Sequence, residues 1–313
     1  MSRPERGGGT GTVDPDPAVE PDVEPQGVAV VPRRRARGGS RSAYLLVLPL
    51  VVVAAVVFVY PILYMAGTTL IETDEGGGIS IALEPFRRVF EDEFAREMIW
   101  RTIRVAFFTT LLALVLAYPV TLGMKQMTPR WRGFMVAVLL SPLLMSIVVR
   151  TLGWVVALGS GGLLHQFLDL LGLPKPDFLY TEVAIVFGLA HVLLGFMVLA
   201  LMTSVLKIPD SVVAAAANLG AKQWQILWRI VLPMTRPGIV AGAAIVFPLS
   251  ASAYVTPVLL GGSRNPVMGS EVYQQAIVQL EFDRASALAL VLFAIVLVAV
   301  ALLGLAARDR KGT

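Results

Sequence analysis

The chain has no cysteine among its 313 residues, which excludes disulfides, thiolate metal sites and a catalytic thiol. Charge is also scarce, at 15% of residues. No Asp or Glu lies in the central part of any long apolar run, and intramembrane carboxylates are the usual mark of proton or sodium coupling. The glycine-rich start lacks the lysine and flanking strand of a phosphate-binding loop, so the chain carries no nucleotide-binding motif of its own. What is abundant is apolar: 56% of residues, gathered into long runs, which reads as a polytopic membrane protein. The net charge of +4 is distributed as a topology signal, so no nucleic-acid partner is expected.

Two parts follow from composition. Residues 1–42 are rich in Gly, Pro and acids, have little to bury and end in a basic block of Arg33, Arg34, Arg35, Arg37 and Arg41. They read as a disordered tail with a membrane-orientation signal. Residues 43–313 form an all-α integral membrane domain of six helices, near Ala43–Met65, Thr102–Met124, Phe134–Leu152, Val183–Leu206, Gly238–Leu260 and Ala285–Ala307. The first is too long for a secretory signal and lacks a small-residue cleavage site. Lys and Arg precede span one, lie between two and three and between four and five, and follow span six. The positive-inside rule therefore puts both termini in the cytoplasm of a multi-pass plasma-membrane protein. The acidic stretch 66–100 and the segment 261–284 become outer loops. The Gly- and Pro-rich stretch 157–181, with its apolar patch Leu163–Leu171, fits either an outer-face helix or a re-entrant piece.

Between spans four and five, residues 208–237 are too polar for lipid and too regular for a slack loop. Pro209 suits a first helical position, Val212–Asn218 favours a short helix, and Gly220 stands where a helix stop needs a left-handed residue. Ala221–Val231 carries Trp224, Leu227, Trp228 and Val231 at helical spacing until Pro233 ends it. Two short helices around a glycine make a rigid knob for a socket on a soluble partner.

Ala215-Ala216, three residues, Gly220, nine residues, then Ile230-x-Leu232-Pro233 resembles the EAA coupling motif of binding-protein-dependent ABC importer permeases. Ile208-Pro209, Gly220-Ala221, Trp224-Gln225 and Pro237-Gly238 fit it too. The motif's acid is replaced by Ala214. The resemblance implies a MetI-like permease fold and assigns ATPase contact to Ala214, Ala215, Ala216, Gly220, Ala221, Ile230, Leu232 and Pro233. Residues 148–166 and 250–262 look like the first permease of the polyamine (spermidine/putrescine) branch. That branch implies a second homologous permease, a dimer of ATP-binding subunits and an extracytoplasmic substrate-binding protein, all meeting in the lipid bilayer. It also contains transporters for iron, thiosulfate-like anions and phosphonates. ATP and magnesium would belong to the partner ATPase; no cofactor, metal site or catalytic residue is expected in this chain.

For a substrate pathway the sequence offers Arg150, His191 and a polar run in span five, Ser250, Ser252, Tyr254 and Thr256, between Pro248 and Pro257. Irregular backbone at membrane depth is tolerated where it lines a cavity. The same stretch also fits a helix seam of small residues. Arg150 reads equally as a snorkelling side chain, His191 as a packed imidazole, and Trp100 and Trp154 as interfacial anchors. A multi-pass enzyme would need a catalytic constellation, and none is present; Ser160 and His191 do not make a protease dyad, because Ser160 falls in a loop. A stand-alone carrier or channel is the remaining alternative.

Overall fold

The computed structural model describes residues 48–73, 79–81, 84–174 and 176–308; the tail 1–42 and residues 43–47 lie outside them. The chain divides into two compact units, Met1–Ala55 and Val56–Thr313. Of the first, residues 48–55 are described, and they are helical. The second unit holds the fold.

Its elements are α1 (Tyr60–Leu70), β1 (Ile71–Thr73), β2 (Ile79–Ile81), α2 (Glu84–Glu91), α3 (Glu93–Gln126), α4 (Pro129–Leu144), α5 (Ile147–Leu158), α6 (Leu163–Leu170), α7 (Glu182–Val205), α8 (Asp210–Asn218), α9 (Gln223–Ile226), α10 (Leu232–Ala251), α11 (Val255–Gly261), α12 (Met268–Tyr273) and α13 (Phe282–Arg308). The strands make a single antiparallel ribbon, with Ile71 opposite Ile81 and Thr73 opposite Ile79. Six helical segments among the described residues are long and apolar enough to cross a membrane: Leu48–Gly67, Glu93–Gln126, Ile147–Leu170, Glu182–Val205, Gln223–Ala251 and Phe282–Ala306.

Helices α3, α7 and α10 form the centre, and α13 packs on α10. With lipid as solvent, apolar side chains alone do not drive helices together, so close approach and interhelical packing must. Gly238 and Gly242, one turn apart on α10, meet α7: a Cβ on Gly238 would stand 2.7 Å from Ser204 Oγ, and one on Gly242 would run into the Met197 sulfur. Around this crossing Ala113, Ala117 and Met124 of α3 pack with Leu193, Met197 and Leu201 of α7 and Val246 of α10.

Helix α3 is 34 residues long, about 50 Å at 1.5 Å per residue, and so outruns the hydrocarbon core. It extends beyond the predicted Thr102–Met124 because Asp92 caps it, its Oδ1 accepting from the Phe94 N–H at 3.0 Å. At that end Arg101, only 8% exposed, reaches Glu97 at 2.5 Å and Glu182 of α7 at 3.3 Å. Its guanidinium also faces the carbonyls of Arg264 and Pro266 at 3.5 and 3.4 Å, and Arg104 meets Glu182 at 2.6 Å. The predicted outer loop 66–100 therefore holds the ribbon, α2 and the first turns of α3.

Three expectations are corrected. The third span, predicted as one helix over Phe134–Leu152, is broken at Met145–Ser146 into α4 and α5, three residues beyond Pro142. The fifth, predicted as Gly238–Leu260, is broken at Ser252–Tyr254: Pro257 lacks an N–H and its ring opposes the carbonyl four residues back. The segment 261–284 is largely helical, containing α12 and a π-turn over Gln274–Gln279, rather than a loop. The patch predicted over Leu163–Leu171 is the short helix α6.

Candidate functional site

The knob is built on the end of α3 opposite Arg101. Lys125, near the C-terminus of α3, donates to the Ile208 carbonyl at 2.9 Å and pairs with Asp210 at 2.7 Å, which fixes where α8 begins. Arg132 donates to the carbonyls of Met124, Lys125 and Met127 at 3.0–3.2 Å, satisfying the orphan acceptors at the end of α3. Ile208, Ile226 and Val231 are buried, with Val213, Ala216, Ala221, Leu227 and Ile230 packed around them against Tyr118 and Leu122 of α3.

Helix α8 starts one residue after Pro209, which is its N-cap rather than the first helical residue predicted. Its end is a Schellman motif. The Gly220 N–H bonds to the Ala217 carbonyl at 2.9 Å and the Ala221 N–H to the Ala216 carbonyl at 3.1 Å, with Gly220 at φ +81°. The left-handed conformation read from sequence is therefore present. Ala214 and Ala215 are exposed on the outer face of α8, Ala216 and Ala221 turn partly inward, and Leu219 stands 88% exposed at the tip.

Pro233 does not end the second knob helix. From Gln223 the chain remains helical to Ala251, passing through a π-turn at Leu227–Val231 where the Leu232 N–H bonds to the Leu227 carbonyl. The wider π-turn lies just ahead of Pro233, which has no N–H to give, so the helix continues without a break. Ile230, Leu232 and Pro233 are half-buried, and Trp224 and Trp228 lie exposed with ring centres 5.2 Å apart. One turn on, the Tyr118 hydroxyl lies 2.9 Å from Thr235 Oγ1. The knob is thus covalently continuous with α10 and bonded to α3.

The six pathway candidates fall in three places. Arg150, on α5, donates to the Pro142 carbonyl and so caps the end of α4 across the break. Trp154, one turn along, points its Nε1–H at His191 Nδ1 of α7, 3.4 Å away, with the rings edge-on at 5.6 Å. Trp154 is therefore a partner of His191 and more than an interfacial anchor. Thr256 belongs to the same neighbourhood, its Oγ1 3.4 Å from Thr151 Oγ1 of α5. Ser252 and Tyr254 are exposed at the break after α10, where Ser252 returns its hydrogen to the Pro248 carbonyl at 2.8 Å. The Tyr254 ring stacks on Tyr273 of α12, with centres 4.7 Å apart and planes 17° from parallel. Ser250 is buried in the α3–α10 seam, 3.4 Å from the Ala106 carbonyl. Tyr273 and Thr151 were not legible as partners, because each lies far along the chain from the residue it meets. A cavity of about 880 Å³ lies elsewhere, between α2 and the start of α13, bordered by Arg88, Asp92 and Arg284.

Residues 43–311 match the model of the binding-protein-dependent transport system inner membrane component. The chain belongs to this family of permeases. It is thus a multi-pass transport protein of the bacterial inner membrane. Among curated proteins this permease is 30% identical over 225 residues to the spermidine/putrescine transport system permease protein PotB of Salmonella typhimurium, covering 70% of this chain and 78% of the other. It is 27% identical over 212 residues to the protein of the same name from Haemophilus influenzae, covering 67% and 74%. Among solved structures it resembles a bacterial ABC transporter involved in the import of the acidic polysaccharide alginate. The TM-score is 0.66 and the identity 20%, over 87% of this chain and 97% of that one. The last likeness bears on the fold alone: a MetI-like arrangement of helices.

Proposed function

We propose that this permease is the first of two homologous membrane subunits of an ATP-driven importer for spermidine and putrescine. The knob would dock on a dimer of ATP-binding subunits, which supplies ATP and magnesium chemistry. An extracytoplasmic binding protein would deliver the substrate at the end marked by Arg101. Both termini and the knob are assigned to the cytoplasm because the basic residues cluster beside them.

The observation that supports coupling is the knob itself. Its outer face and Leu219 are free, its inner face is packed on α3, and its second helix runs unbroken into α10. Closure of a partner gripping the tip would be transmitted as a rigid-body movement of α10 against α3 and α7, favouring the outward-facing state with ATP and the reset state after hydrolysis. The substrate reading rests on the likeness to the spermidine/putrescine permeases.

The test is to tag this chain in its own membrane, solubilise gently and identify what accompanies it. The recovered complex is then reconstituted with its binding protein, and uptake of labelled spermidine is measured with and without ATP. An ATPase and a second permease, with ATP-dependent uptake that excess putrescine suppresses, are the expected results. Recovery of this chain alone would favour the stand-alone carrier; a complete complex that ignores polyamines would redirect the substrate to another small solute.

A further inference from the structure

The docking reading is deepened by the charge of the knob. From Lys207 to Arg236 the sequence has four basic residues, Lys207, Lys222, Arg229 and Arg236, and a single carboxylate, Asp210. That carboxylate is engaged by Lys125 at 2.7 Å. Ala214 leaves the outer face of α8 without the acid that its motif position implies. Lys222 and Arg229 are exposed, and among the described residues neither has an ion-pair partner. Beside these cations the tip offers Leu219, almost wholly exposed, and the bare methyl groups of Ala214 and Ala215. A partner that buried the tip with a basic socket would leave Lys222 and Arg229 facing their own sign, and like charges juxtaposed across an interface are costly.

We infer that the socket on the ATP-binding subunit is apolar at its floor and acidic at its rim, receiving Leu219 and the alanines in the floor and pairing Lys222 and Arg229 with carboxylates. This rests on the docking reading. It reverses the polarity that a motif glutamate would call for, since such a glutamate seeks a cation in the socket.

The sign of the effect of Ala214→Glu decides it. The whole complex is assembled in nanodiscs, and the ATPase retained by this chain is measured at low and at about 0.5 M salt, where screening shortens to a few ångströms. With an acidic socket, Ala214→Glu weakens retention, Lys222→Glu with Arg229→Glu weakens it by about tenfold, and salt weakens the unaltered complex. Ala214→Glu that tightens the complex, or charge reversals and salt without effect, would overturn the acidic rim while leaving docking intact. Leu219→Asp reports on docking separately: it should release the ATPase at every salt concentration, and full retention would remove the docking reading with everything built on it. Anionic lipid is the rival receiver of Lys222 and Arg229. Charge-reversal effects that appear in phosphatidylglycerol discs and vanish in phosphatidylcholine discs would assign the cations to the bilayer and overturn the proposal.

Discussion

The Tyr118 hydroxyl meets Thr235 Oγ1 at 2.9 Å, tying the last third of α3 to α10 just beyond the π-turn that admits Pro233. Thr235 also donates or shares its hydrogen with the carbonyls of Val231 and Leu232, each 3.1 Å away, so one hydroxyl closes both the seam and the helix. Any movement of the knob that swings α10 must carry or break this contact. Tyr118→Phe and Thr235→Val should each lower thermal stability in detergent by about 1 kcal/mol. Their double variant should lose little beyond the larger single effect, as expected for partners in one bond. ATPase stimulation by the loaded binding protein should fall in both without loss of assembly; additive stability losses would show the two hydroxyls to be independent.

Gly220 has no neighbour within 4 Å of an added Cβ, so its requirement is conformational and not one of space. At φ +81° an L-residue costs about 1–2 kcal/mol, and asparagine is among the residues least penalised there. Gly220→Asn should keep near-normal uptake. Gly220→Asp should insert and fold yet uncouple ATP hydrolysis from transport, because its charge must be desolvated in the socket. Substrate-stimulated ATPase and uptake measured on the same proteoliposomes separate the two; unchanged values for the aspartate variant would remove the knob from the coupling path.

These positions also show what the sequence could reveal. Gly220, the alanine pair and the apolar spacing of Ile226 and Val231 are local signals, with helix period and a left-handed stop, and the structure places them accordingly. The six long apolar runs were visible for the same reason. The breaks at Met145–Ser146 and Ser252–Tyr254 were not placed: the first interrupts an apolar stretch whose main warning is Pro142, and the second falls in the polar run Ser250–Thr256, which fitted irregular backbone and a continuous helix seam equally. Proline itself was ambiguous: Pro233, Pro237 and Pro248 all lie inside helices, whereas Pro257 accompanies a break. Which outcome prevails depends on whether neighbouring turns, such as the π-turn ahead of Pro233, can absorb the missing donor. Long-range partners such as Tyr273 for Tyr254 leave no local trace.

The close crossing of α7 and α10 gives a stability prediction free of function. Gly242→Leu would drive its side chain into Met197, and Gly238→Leu into Ser204 and the Ala200 carbonyl. The flexible Met197 can retreat, while the Ala200 backbone cannot. Gly238→Leu should therefore be the worse of the two, by about 1–3 kcal/mol relative to the unaltered protein, read as loss of monodisperse protein after heating in detergent. The reverse ranking would mean that α7 moves more readily than the Met197 side chain.

Arg150 separates a structural role from a pathway role. Its guanidinium caps the Pro142 carbonyl at the end of α4, where no backbone donor continues the helix. Arg150→Leu removes a charged hydrogen bond and leaves that carbonyl unsatisfied at membrane depth, which should cost about 1.5–3 kcal/mol of stability. Arg150→Lys retains one donor on a flexible stem and should restore most of the stability, although it cannot reproduce the planar guanidinium. If capping is the whole role, uptake by the lysine variant keeps its KM and loses activity only in proportion to the folded fraction. A raised KM at full stability would instead place Arg150 on the substrate's route, and with it the neighbouring His191 and Trp154, which share that face of α5 and α7.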